Sequence, residues 1–172
     1  MSNYPSVINS FNAYNDGNRI IGQTGEITLP DVESKTTTVS GAGILGDIEE
    51  PVIGQVNSLK ITIPFATIAD DYFKLCNQLK SVGLTLRGAI QCMDTETGEA
   101  VMQQMRVVLR GKMATFTNGK LKAAEQMGAS LTIELLYYMV ELEGVTQVEI
   151  DKLNSVFIVN GVDVLEPIRN MC

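Results

Sequence analysis

The chain has 172 residues, 45% of them hydrophobic, with 20 acidic against 13 basic side chains and a formal net charge of -7. A single domain of this length buries a full core without disulfides or metals, and the absence of any Lys/Arg cluster disfavours stable nucleic-acid binding, which needs such groups to displace counterions. The chain has no His, so the commonest general base, the His-containing triads and most metal sites are missing, and neither an enzyme nor a cofactor is indicated.

In chain order, residues 1–11 are polar and lack the charged-then-apolar layout of a secretory signal. No apolar run is long enough for a helical membrane span, so a soluble protein without its own export signal is expected. A strand is expected near residues 35–40, followed by a Gly-rich stretch containing Gly41, Gly43, Gly46 and Gly54 with Pro51. Ile44, Leu45, Ile48, Val52 and Ile53 make that stretch too apolar for a solvated loop, yet they follow neither a helical nor a strand period. Apolar groups exposed in this way mark a partner surface. Gly41 to Gly46 also spell GxGxxG, the phosphate-cradling turn of a dinucleotide site. That motif requires a helix opening at its last glycine, whereas here Asp47, Glu49, Glu50 and Pro51 follow. The loop reading is therefore preferred to the nucleotide-binding one.

Leu59, Ile61, Ile63 and Phe65 alternate with polar residues and with Pro64, the pattern of a half-buried strand. Ile68, Tyr72, Leu75, Cys76 and Leu79 then recur at helical spacing, which predicts a helix over 67–82 with Thr67 and Asp70 as a capping box and Gly83 as its stop. Its polar side carries Asp70, Asp71, Lys74, Gln78 and Lys80. Segments 84–93 and 101–110 form a hairpin across 94–98. On the second strand Val101, Met105, Val107 and Leu109 share one face, with Arg106 and Arg110 opposite.

After a polar segment around Asn118 and Gly119, residues 131–142 read as a long strand. From Leu135 to Val140 it is apolar or aromatic on both faces, and so it should be covered on both. A turn at Glu143 and Gly144 leads to a strand with Val148 and Ile150. Val156 to Val159 and Val162 to Leu165 flank Asn160 and Gly161, the strongest short hairpin signal in the chain. Pro167 limits the C-terminus to a turn or short helix. Cys76, Cys92 and Cys172 are odd in number and form no CxxC pair, so a reducing compartment fits. Strands in series with one helix give a mainly β sandwich or barrel.

The order of motifs resembles the major tail tube protein of contractile-tailed bacteriophages, a family shared by R-type bacteriocins. The resembling residues are Ile27, Thr28, Leu29 and Pro30, then Lys35 and Gly41 to Gly43. They resume at Val148 to Asp151, Val159 to Asp163, Leu165, Glu166 and Arg169, so the likeness spans nearly the whole chain as one tail-tube domain, 1–172. Segment 84–110 resembles the family less closely, and 117–129 departs from it.

The resemblance implies hexameric rings stacked into a tube inside a contractile sheath, with strands paired across subunit boundaries. An extended hairpin and loop at about 29–65, carrying Gly41 to Gly54, would reach a neighbouring subunit or ring. Asp70, Asp71 and Lys74 would face the sheath. The implied partners are further copies of the chain, the sheath protein, a baseplate or tube initiator, a tape-measure protein in the lumen during assembly, and DNA in transit if the particle is a phage. Synthesis would be in the bacterial host cytoplasm, and the destination a virion tail or a released bacteriocin particle. A tube of another contractile injection or secretion system is the alternative. Strand parity leaves open whether the arginine face is lumen, boundary or exterior.

Overall fold

The computed structural model describes residues 3–23 and 25–172. The strands are β1 (Asn3–Asn15), β2 (Asn18–Arg19), β3 (Ser34–Val39), β4 (Ile48–Val56), β5 (Lys60–Phe65), β6 (Val82–Asp94), β7 (Ala100–Thr117), β8 (Ala129–Leu142), β9 (Val145–Asp151), β10 (Val156–Val159) and β11 (Val162–Asp163). Two six-residue helices, α1 (Asp70–Leu75) and α2 (Glu166–Met171), complete the set.

The main sheet runs β11-β10-β9-β8-β7-β6-β1-β2, and β5 pairs with β8. Strand β8 therefore has three partners: β7 along one edge, and β9 and β5 on successive halves of the other. Beyond β2 the chain crosses to β5, where Gln23 bridges Phe65 and Thr28 bridges Thr62. The Ala66 N–H donates to the Gly22 carbonyl at 2.9 Å. These bridges close the path from β5 through β8, β7, β6, β1 and β2 back to β5, so the sheet is a barrel rather than an open layer. Closure covers the second edge of β5, while most of the second edge of β1 stays open.

Alternation fills the barrel. Ile61, Ile63 and Phe65 of β5, Leu84 and Leu86 of β6, Val107 and Leu109 of β7, and Leu131, Ile133 and Leu135 of β8 all enter one core cluster. No polar or charged residue is buried among the described residues. Between Leu135 and Tyr137 the register with β7 slips by one, since Gly111 faces Leu135 while Arg110 faces Tyr137. The extra residue reverses parity, so Tyr138 and Val140 take over the inward role. Two-sided apolarity at 135–140 is thus largely the signature of a bulge. Within this stretch Met139 alone is buried outside the core cluster, and Leu136 and Tyr137 are half-buried.

The helix is shorter than 67–82. It begins after Ala69 with no side-chain cap, so the Thr67–Asp70 box does not form. It stops at Cys76, whose N–H turns to the Phe73 carbonyl. Asn77 then accepts the Leu79 N–H through Oδ1 at 3.0 Å, a local bond that competes with helix continuation. Leu79 is 95% exposed, and Gly83 lies inside β6 rather than at a helix end.

Tyr72 and Leu75 remain, and they seat α1 on the barrel mouth. The Tyr72 ring meets Phe65 edge-on at 5.3 Å, and its hydroxyl donates toward the Thr117 carbonyl and Asn118 Oδ1, each at 3.2 Å. We expect Tyr72→Ala to cost about 3–5 kcal/mol by removing a fully buried aromatic, and Tyr72→Phe only about 0.5–1.5 kcal/mol for the hydroxyl bond. Urea unfolding of dissociated subunits separates the two.

Candidate assembly surface

Strands β3 and β4 form a two-stranded sheet of their own, separate from the barrel sheet. They pair from Thr36↔Pro51 to Val39↔Ile48, and residues 40–47 form the turn. Gly41 to Gly46 thus lie at a hairpin tip, with the Ile44 N–H donating to the Gly41 carbonyl at 3.1 Å. A strand, not a helix, follows the last glycine, so the phosphate-binding geometry of GxGxxG is absent.

Of the expected contact residues, Gly41, Gly43, Ile44, Leu45, Gly46, Ile48 and Ile53 are exposed, and Leu45 is fully so. Val52 and Gly54 are half-buried and line a cavity with Phe157, Leu165 and Ile168. Segment 29–65 is therefore not one arm: β5 at its end belongs to the barrel, and only β3–β4 projects. The missing strand period has a cause. Ser34 faces Val56 while Thr36 faces Pro51, so β4 carries extra residues around Gly54.

What holds the hairpin to the barrel is the C-terminal segment. Gly54 has φ +73°, and a Cβ there would stand 1.9 Å from Leu165 Cδ2. Glycine is required both for the left-handed backbone and for the close approach. Leu165 is held in turn: its N–H donates to Asp163 Oδ1 at 3.0 Å. Arg169 of α2 pairs with Asp163 at 2.5 Å and donates to the Ser155 carbonyl at 2.7 Å. The Arg169 guanidinium holds the Asp163 carboxyl below its ordinary value. The Gly54–Leu165 contact could not be read from sequence, because the two residues are joined only by the fold.

The other expected surface is on α1. Asp71 and Lys74 pair with each other at 2.9 Å, one helical turn apart. The Lys74 ammonium holds the Asp71 carboxyl below its ordinary value, aided by a backbone bond from Ile21. Asp70 is exposed beside them, and so is Phe73, which the sequence reading did not single out. Among the described residues no His/Cys/Asp/Glu group is placed to hold a metal ion.

The chain thus combines a closed apolar barrel with a projecting hairpin. A family model described as phage tail tube protein FII matches residues 5–171. The chain belongs to the phage tail tube protein FII family. It is similar to the tail tube protein of Escherichia phage P2, 28% identical over 171 residues and covering 96% of this chain and 95% of that protein. It is also similar to the major tail tube protein of Serratia phage KSP20, 23% identical over 153 residues, covering 89% and 86%.

The fold is shared with a chain in a cryo-EM structure of an extracellular contractile injection system, the PVC sheath/tube terminator in its extended state. The TM-score there is 0.56 at 14% identity, over 82% of this chain and 99% of that one. As a member of the family the protein is a structural component of a contractile tail tube, and it associates with copies of itself.

The Gly54–Leu165 contact yields a prediction. Gly54→Ala should destabilise the subunit by about 1–3 kcal/mol through overpacking. Leu165→Ala added to it should recover part of that loss. Thermal unfolding of the two single variants and the double variant gives the coupling directly.

Proposed function

We propose that the subunits close into six-membered rings that stack into a hollow tube, which a contracting sheath drives through the target envelope while the bore conducts DNA or ions. One observation carries the reading: the β3–β4 hairpin leaves the barrel with Ile44, Leu45, Ile48 and Ile53 in solvent. No core of its own lies behind that sheet. In water such a surface is a liability in a monomer and an asset in an array, since burying it stabilises contact between copies.

The projecting hairpin and its receiving surface are different parts of the chain. Such a heterologous contact forms a ring when its rotation closes and a filament when it does not. Stacked rings use both outcomes. Strand edges suit the same assembly, because among the described residues β1 is paired on its second edge only at its end, from Ala13 to Asn15. The tube would lie within a sheath, start on a baseplate or initiator, and hold a tape-measure protein while it is built. No cofactor enters the work, and DNA would pass through without being held.

Replacing Ile44 and Leu45 together by Asp should abolish tubes in electron micrographs while circular dichroism and the unfolding midpoint stay near wild type. Normal tubes from that variant would remove the hairpin from the stacking contact.

Asp70, Asp71 and Lys74 are assigned to the sheath side. A contact made of exposed charges is weak and screened by salt, which suits one that must break on contraction. Neutralising Asp70 and Asp71 to Asn should reduce assembly of extended sheath on preformed tubes without changing the tubes. Unaltered sheath assembly in a sedimentation assay would place the sheath contact elsewhere.

A further inference from the structure

The face of the main sheet that points away from the core has its own pattern. Leu84, Leu86, Val107 and Leu109 point inward, so alternation puts Thr85, Arg87 and Ala89 of β6 and Gln104, Arg106 and Arg110 of β7 on the opposite face. Register then builds rows across the strands. Asn12 faces Arg87, which faces Arg106, which faces Glu141. Two rows over, past Val108 and Met139, Arg110 faces Tyr137, which faces Asp151.

Each arginine is held within this face. Arg106 is 3.8 Å from Glu141. Arg110 lies 4.4 Å over the Tyr137 ring, and the Tyr137 hydroxyl donates to Glu149 at 2.9 Å. Arg87 lies 5.6 Å over the Tyr14 ring. The one buried apolar side chain here, Met139, sits under Tyr137, whose hydroxyl is 3.5 Å from its sulfur.

Arg87, Arg106 and Arg110 stand against Glu141, Glu149 and Asp151, and further along the same face Lys112 faces Glu134, which Lys152 approaches at 3.7 Å, so the chain's net negative charge of -7 resides outside this face. Beyond Gln91 the same face turns apolar with Tyr4, Met93 and Met102 exposed, which gives the neutral band a definite end.

A face that docks on a protein carries exposed apolar or aromatic anchors at its centre, and this band has them only at its fringe. A face that retains nucleic acid carries unpaired cations, and here Arg106 is matched by an acid, Arg87 and Arg110 are stacked on tyrosines, and Lys112 faces Glu134. We propose that this band of β1, β6, β7, β8 and β9 lines the bore of the tube, as a wettable, charge-balanced surface past which a polyanion slides without being held. The inference rests on the tube reading above and names which side of the sheet faces the bore.

The test places a cysteine at Ala89 or at Gln104 in a background with Cys76 and Cys172 changed to Ser, leaving buried Cys92. Tubes are verified by electron microscopy, and then exposed either to a small maleimide or to a maleimide on a polymer too wide for the bore. Dissociated subunits should react with both reagents. Assembled tubes should react with the small reagent and lose most of their reactivity toward the wide one.

Equal reaction of assembled tubes with the wide reagent would put the band on the exterior, and loss of reaction with both would bury it at an interface. Either result overturns the proposal, as does wild type assembling while both variants cannot. Failure of the wild-type chain to form tubes under any condition would instead overturn the tube reading itself.

Discussion

Strand β8 has two edges and three partners, and the architecture follows from how they are shared. Its whole length faces β7, its first half faces β5 and its second half faces β9. Such sharing requires β5 and β9 to diverge at the middle of the strand, where the slip at residue 136 bends β8 and reverses its parity. On the β5 side the sheet curls until Gln23 and Thr28 close it. On the β9 side it continues outward through β10 and β11 to α2. One strand thus joins a closed barrel to the C-terminal segment that steadies the hairpin.

That arrangement lets a small chain carry a projecting, apolar arm without collapsing it onto its own surface. The barrel core is nearly independent of the hairpin, since every buried member of its cluster lies outside β3 and β4 and only half-buried Val56, at the hairpin's base, packs against it. The hairpin is tethered at its base by Leu165 against Gly54, and the salt bridge between Asp163 and Arg169 holds Leu165 in place. Its tip has no such support from within the chain. The division separates stability from the proposed assembly contact: the exposed tip residues contribute nothing to the core, whereas Gly54 and Leu165 pack against each other and so bear on the stability of the subunit.

Much of this was legible in the residues. The turn at Asn160 and Gly161 formed where expected, with both residues at positive φ, because an Asn-Gly pair between apolar runs leaves little else to the chain. The alternation of β5 and of 84–93 with 101–110 was equally direct. What escaped was wherever an inserted residue broke the period. Strand β1 slips register twice, between Pro5 and Val7 and between Ile8 and Ser10, and its Asn and Ser residues hide the rest. Strand β4 was concealed by its wide irregularity near Gly54. The helix was overread because Leu79 completes a stripe that an Asn77 side-chain bond interrupts. Contacts such as Gly54 with Leu165 join residues more than a hundred positions apart, and no local pattern encodes them.

The distribution of charge ties these parts to a mechanical role. A tube loaded along its axis needs subunits whose interiors do not rearrange, and a core with no buried charged or amide residue among the described residues, and with its Tyr72 hydroxyl bonded at Thr117 and Asn118, has little hydrogen bonding to exchange. Polar interactions are confined to surfaces, where they can be weak and specific at once. On the outer sheet face they cancel: guanidinium against carboxylate, guanidinium against tyrosine ring. On α1 the Asp71–Lys74 pair is made within one helical turn and near solvent, so in the proposed sheath contact these charges would act weakly and reversibly. The apolar hairpin is the contrary case, because its burial is favourable at any salt concentration. Permanent contacts should therefore be apolar and transient ones charged, and the fold keeps the two on different elements.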